Sequence, residues 1–281
     1  MGHGATWLKL LPGYRQMEAY FMHNAEAVGI KKGLLFGSGM SMQHVLAAAL
    51  VVIIVLLLGA RARADLAKAA DGGLVPDPKI SVRNFIELAL EALYNQSRQI
   101  IGADAKRYFP VIAALAMFIF FSNVLGLVPG FTPPTDNWNT TFGCSIFVFL
   151  YYNYHGLRAH GLGHIAHMAN PVGTWWGWFL TPLLFPIELV SHLARPMSLG
   201  IRLAANMVGD HAVVTAFLGL VPFLVPLPFM ALGLMVCLVQ TLVFVLLTMI
   251  YIGLSVASSH DEEHEHGHDE AGHDKAAAHA A

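Results

Sequence analysis

The chain has 281 residues, of which 56% are hydrophobic and 12% charged. That is too apolar for a soluble domain of this length and marks a polytopic, all-α membrane protein. A formal net charge of -2 gives no electrostatic case for a nucleic-acid partner, and Cys144 and Cys237, each inside an apolar run, read as small hydrophobes rather than a disulfide or metal pair.

Residues 1–40 are mixed and Gly-rich and are expected to form an outer-side surface segment with one short helix. A single membrane domain is expected over 41–258. Its first span, 41–60, is uncharged and about long enough for a ~30 Å hydrocarbon core at ~1.5 Å per residue. The basic-then-apolar layout of a cleaved leader is not seen ahead of it. Arg61, Arg63 and Lys68 follow, then the turn-rich ADGGLVPDP.

From 80 to 108 one amphipathic helix is predicted, with Val82, Ile86, Ala89, Leu93 and Ile100 on one face and Arg83, Glu87, Glu91, Asn95 and Arg98 on another. The pattern fits a helix lying on the membrane surface and equally one packed on its own protein, because both bury the same face. A second span is expected over 109–128 and a third over 140–158, joined by PGFTPPTDNWN. Segment 61–107 carries eight Lys or Arg and loop 129–139 none, so the former belongs in the cytoplasm and the latter, with the N-terminus, outside.

Segments 175–220 and 227–257 are apolar almost throughout and are separated by VPFLVPLP, which predicts a helical hairpin. Each arm exceeds what a perpendicular crossing needs, so strong tilt is expected. Pro182, Pro186 and Pro196 predict a late start to the first arm, a kink, or both. The tail 259–281, rich in His and acidic residues, is expected to be disordered.

Arg195 and Arg202 are the only Lys or Arg between Arg158 and Lys275. A guanidinium stays charged at ordinary pH, and a charge at the bilayer centre costs roughly 3 to 17 kcal/mol, so its retention points to function. In steps of three or four the first arm reads Glu188, Ser191, Arg195, Ser198, Arg202, Asn206 and Asp210, a polar stripe on an apolar helix. Such a face must meet protein or water, since unsatisfied polar groups in lipid cost several kcal/mol each. The second arm supplies Gln240, Thr241, Thr248, Tyr251 and Ser255, and antiparallel packing is expected to bring Gln240 near Arg202. Gly200, Ala204 and Ala205 would admit a close neighbouring helix. The alternative is a structural arginine ion-paired to Glu188 or Asp210.

The run ARPMSLGIRLAANM, with Glu188 fourteen residues before Arg202, and the later VQTLVFVLLTMIY resemble the signature segments of subunit a of F-type ATP synthases. NVLGLVP from Asn123 and NTT from Asn139 extend the resemblance over about residues 80–257. It implies a stator whose tilted hairpin faces a ring of c subunits, with two aqueous half-channels leading to the ring carboxylates. Arg202 is then the essential charge between the half-channels, Glu188 and Ser191 match the cytoplasmic path, and Asp210 and His211 the outer one. Asn206 and Gln240 match positions that orient the guanidinium, and Arg195 and Ser198 support it. The family's usual titratable partner on the second arm is replaced by Gly233, which leaves Asp210 and His211 to supply both groups locally, although His211 also reads as a hydrogen-bonded interior histidine.

The resemblance further implies a c-subunit ring, peripheral-stalk b subunits, other ATP synthase subunits and lipid as partners. It also implies a multi-pass position in a bacterial plasma membrane and a cytoplasmic tail. No GxxxxGK[ST] loop occurs, so nucleotide chemistry is assigned to other subunits, and no cofactor or metal is expected.

Two rival readings compete with it. A proton-coupled secondary transporter would also keep polar groups at mid-membrane, but it would show inverted repeats. His160, His164 and His167 fall at i, i+4 and i+7, as a membrane di-metal oxygenase would require, yet no second comparable box occurs outside the tail. The tail histidines fit adventitious metal binding, a dedicated site or pH-sensitive charge alike.

Overall fold

The computed structural model describes residues 7–27, 42–68, 82–128, 130–161, 177–220 and 226–278, and among them every regular element is helical. The helices are α1 (Tyr14–Ala27), α2 (Met42–Lys68), α3 (Val82–Ile101), α4 (Ala105–Leu127), α5 (Trp138–His160), α6 (Gly177–Leu220) and α7 (Pro226–Ala278). Short 3-10 turns lie at Trp7–Leu10 and Pro134–Asp136.

Three helical segments among the described residues are long and apolar enough to cross a membrane: Met42–Ala64, Ala105–Leu127 and Leu227–Val256. The third is therefore in the second arm of the hairpin. The span expected over 140–158 does form a helix, α5, but Asn139, Thr140, Thr141, Asn153 and His155 make it too polar to join that set. Its polarity is directional: Thr141, Ser145, Val148 and Tyr152 are buried at steps of three and four, while Ile146, Phe147, Leu150 and Tyr154 are exposed.

The amphipathic helix is shorter than its hydrophobic period suggests. It ends at Ile101, and Gly102 adopts φ +85, the left-handed conformation that glycine takes at no steric cost, while its N–H still donates to the Arg98 carbonyl at 3.1 Å. α4 starts three residues later, so Tyr108 and Phe109 share one helix instead of flanking a boundary. α3 packs against α4 and α7; the carbonyl of Ile100 lies so close to Gly253 that a Cβ there would stand 3.2 Å from it.

α6 starts at Gly177, upstream of all three prolines, so their effect is not a late start. α7 continues through Ser258 to Ala278, where the sequence predicts disorder; the tail contains no proline, and its Ala, Glu, Asp and His residues are all compatible with a helix. His164 and His167 lie outside the described residues.

The core is formed where α4, α5, α6 and α7 meet, with Ile112, Ile119, Tyr152, Leu199, Leu203, Phe244, Met249 and Ile252 buried. α2 adds Ala47 and Val51 to the interior and leaves Val52, Ile53, Leu56 and Leu57 exposed, as a lipid-facing helix does. At one end of the bundle the Trp7 N–H donates to the Gly130 carbonyl at 3.1 Å, so Trp7–Leu10 and residues 130–137 lie on the same side.

Candidate functional site

α6 buries Leu199, Leu203, Ala204 and Met207 and leaves Ser191, Ser198, Arg202 and Asn206 exposed. The small residue Gly200 serves contact within the chain: a Cβ there would come 2.8 Å from Ser145 Oγ of α5. The close neighbouring helix expected at this position is α5.

The α6 stripe runs along the seam with α7. Arg195 places its guanidinium carbon 5.5 Å from the Tyr251 ring centre, Asn206 Nδ2 donates to Gln240 Oε1 at 2.7 Å, the Asp210 carboxylate lies against Gly233, and Phe217 stacks on Phe229 at 4.1 Å. These four pairs define one antiparallel register. Gln240 consequently sits opposite Asn206, one helical turn beyond the position expected beside Arg202. Its side chain is buried, and its hydrogen bond to Asn206 contributes about 0.5 to 1.5 kcal/mol net.

Arg202 is exposed and makes no ion pair or hydrogen bond with a described residue. The ion-paired structural arginine is therefore not the arrangement found on the Asp210 side. Along the helix axis Asp210 is about 12 Å from it and Glu188 about 21 Å on the other side, at ~1.5 Å per residue. Glu188 belongs to α6, and its side chain lies outside the described set.

Toward the Glu188 end the chain builds an ordered polar cluster. His192 is buried between the rings of Phe149 and Tyr152, each 5.6 Å away, and its Nε2 meets Asn153 Oδ1 at 3.0 Å. The Asn153 amide nitrogen donates to the Phe149 carbonyl at 2.7 Å, which leaves Oδ1 as the acceptor and makes His192 Nε2 the donor. Arg195 lies over Tyr251, a cation–π contact worth roughly 0.5 to 2 kcal/mol, and Ser198 Oγ donates to the Arg195 carbonyl at 3.0 Å. Asn153 has no counterpart among the residues singled out from the sequence, and its bond to the carbonyl four residues earlier gives no sequence signal.

At the other end, Asp210 and His211 are half-buried neighbours. A Cβ on Gly233 would stand 2.7 Å from Asp210 Oδ2 and 2.6 Å from Leu127 Cδ2. The carboxylate thus lies in the space that a side chain at position 233 would enter. Asn123 and Thr135 complete this end with a hydrogen bond from Thr135 Oγ1 to Asn123 Oδ1 at 2.8 Å.

Residues 42–253 match the family described as ATP synthase A chain. The chain belongs to the F-type ATP synthase subunit a family. It is 42% identical over 228 residues to ATP synthase subunit a of Bdellovibrio bacteriovorus, covering 81% of this chain and 97% of that one. Subunit a of Sorangium cellulosum is 44% identical over 207 residues, 73% of this chain and 79% of that one, and the Geobacter sulfurreducens protein is 44% identical over 179 residues, 64% and 76%. Membership makes the chain a multi-pass membrane subunit of the rotary ATP synthase, serving ATP synthesis and proton transport, with other subunits of that enzyme as partners. It displaces the secondary-transporter and di-metal oxygenase readings.

Proposed function

We propose that α6 and α7 form a tilted hairpin over which a ring of carboxylate-bearing c subunits turns, and that Arg202 separates two aqueous half-channels meeting at that contact. The observation that carries this reading is the exposed guanidinium of Arg202, unpaired among the described residues and set on an apolar helix between polar groups toward either end. A charge so placed is open to a partner arriving from outside the chain, and a ring carboxylate is such a partner. The guanidinium favours the ionised carboxylate, driving proton release on one side and admitting the emptied site to the other.

In this reading Glu188 and Ser191, with the ordered His192–Asn153 pair behind them, serve the cytoplasmic path, while Asp210 and His211 serve the outer one. Asn206, held by Gln240, stands one turn from Arg202 and fixes the polar face beside it without neutralising the charge, and Arg195 and Ser198 stiffen the same face. The free energy comes from the membrane potential, about 2.3 kcal/mol per charge per 100 mV. The N-terminus lies outside a bacterial plasma membrane, α3 lies along its cytoplasmic surface, the tail is cytoplasmic, and peripheral-stalk b subunits hold the chain against the ring.

Cysteine cross-linking tests the ring-facing surface. With Cys144 and Cys237 replaced by alanine, Ile201→Cys and Ala205→Cys are each expected to form an oxidative adduct with a cysteine set one turn from the ring carboxylate. Buried Val148→Cys is not. Adducts at Val148→Cys alone, or none at either exposed position, would show that another face meets the ring.

A further inference from the structure

We infer that Thr135 is a positioning residue for proton transfer: its hydroxyl fixes the Asn123 amide so that Asn123, Asp210 and His211 together hold one relay water. This rests on the outer path proposed above and specifies how it works. Asn123, Asp210 and His211 line a single cavity of about 10 Å³, which is at the lower limit for one water molecule. Such a site needs two to four polar partners, and three polar side chains meet there.

The buried atoms agree with that occupancy. Asn123 is 1% exposed and Thr135 0%. Thr135 takes the Asn123 carbonyl oxygen at 2.8 Å, leaving Nδ2 as the amide atom available to the cavity, and that nitrogen is buried without a protein partner. His211 Nδ1 is likewise buried without one. A buried polar atom left unsatisfied costs about 1 to 3 kcal/mol. A water accepting from Asn123 Nδ2 and donating to the Asp210 carboxylate and to His211 Nδ1 would satisfy each group. It would also join the two titratable groups by a path along which a proton moves from water to imidazole or carboxylate and is replaced from the outer side.

The fold fixes this geometry from the loop. Thr135 lies in the 3-10 turn Pro134–Asp136, and Pro133 packs on Gly126 so closely that a Cβ at 126 would stand 2.8 Å from it. The turn is thereby pressed onto α4 one helical turn from Asn123. Gly233 contributes by being small: the Asp210 carboxylate fills its side-chain space and stays beside His211.

The test measures proton flux through the assembled membrane sector, with the amount of complex quantified for each variant. Thr135→Val is expected to slow flux roughly fivefold, Thr135→Ser to restore it, and Asn123→Leu, close in shape, to slow it at least as much. In an Asp210→Asn, His211→Ala background, Thr135→Val is expected to have no further effect. Normal flux in Thr135→Val, failed rescue by serine, or the same fivefold loss in the double-variant background would overturn the clamp and leave Thr135 a packing role. Normal flux in the Asp210→Asn, His211→Ala background itself would overturn the outer path, and the clamp with it.

Discussion

Arg202→Ala is expected to lower ATP-driven proton pumping by the assembled complex at least about 100-fold, with the complex still formed. At ~4 Å and an effective dielectric constant near 20, a guanidinium favours an ionised carboxylate by about 4 kcal/mol, close to a thousandfold in its protonation equilibrium. Without it, the ring carboxylate stays protonated in the apolar contact and does not release its proton on arrival. Stability is expected to change little, because Arg202 is exposed and no described side chain depends on it. Arg202→Lys is expected to recover little activity, since a desolvated ammonium loses its proton readily and lacks the planar donor fork. Pumping quenched-dye assays on inverted vesicles check both, and normal pumping by Arg202→Ala would remove the central role assigned here.

The second large effect is expected at Asp210 and His211. Asp210→Asn and His211→Ala are each expected to slow proton flux several-fold, and the two together roughly 100-fold or more, because either group can pass a proton when the other is gone. The structural reason is the bare second arm: with glycine at 233, the described side chains of α7 offer no carboxylate or imidazole against Asp210 to take over. A double variant no slower than the worse single variant would mean that the two act as one unit, and wild-type flux would place the outer path elsewhere. Acid-pulse measurements on reconstituted vesicles separate these outcomes.

How far the sequence anticipated this arrangement depended on whether the controlling interaction was periodic. The α6 stripe from Ser191 to Asp210 was legible because polar groups recurring every 3.6 residues in an apolar run mark one face of a helix. The hairpin was legible from its two long apolar arms, but its register was not. Register is set by side-chain packing between arms, here Phe217 on Phe229 and Asn206 on Gln240, and it moved Gln240 a turn away from Arg202. The break at Gly102 was carried by one residue inside an otherwise continuous amphipathic pattern, and the period masked it. Asn123, Thr135 and Asn153 enter the site through single contacts, from Thr135 to Asn123 across a loop and from Asn153 to His192 across two helices, so no spacing in the chain announced them. Gly233 stood out as an absence of the expected side chain, and the Asp210 carboxylate lying in that space became visible only in three dimensions.

Arg202 as the barrier between two half-channels is tested most directly by passive proton leak with rotation blocked. Vesicles carrying the membrane sector, with the ring cross-linked to this subunit so that it cannot turn, are given a pH gradient and a potassium diffusion potential. With Arg202 present the gradient is expected to persist, because protons entering one half-channel meet a fixed positive charge before the other. With Arg202→Ala in the same locked complex it is expected to collapse roughly tenfold faster or more, a barrier difference of at least about 1.4 kcal/mol. Equal leak rates in the two locked complexes would contradict the assignment of Arg202 as the element that keeps the half-channels apart.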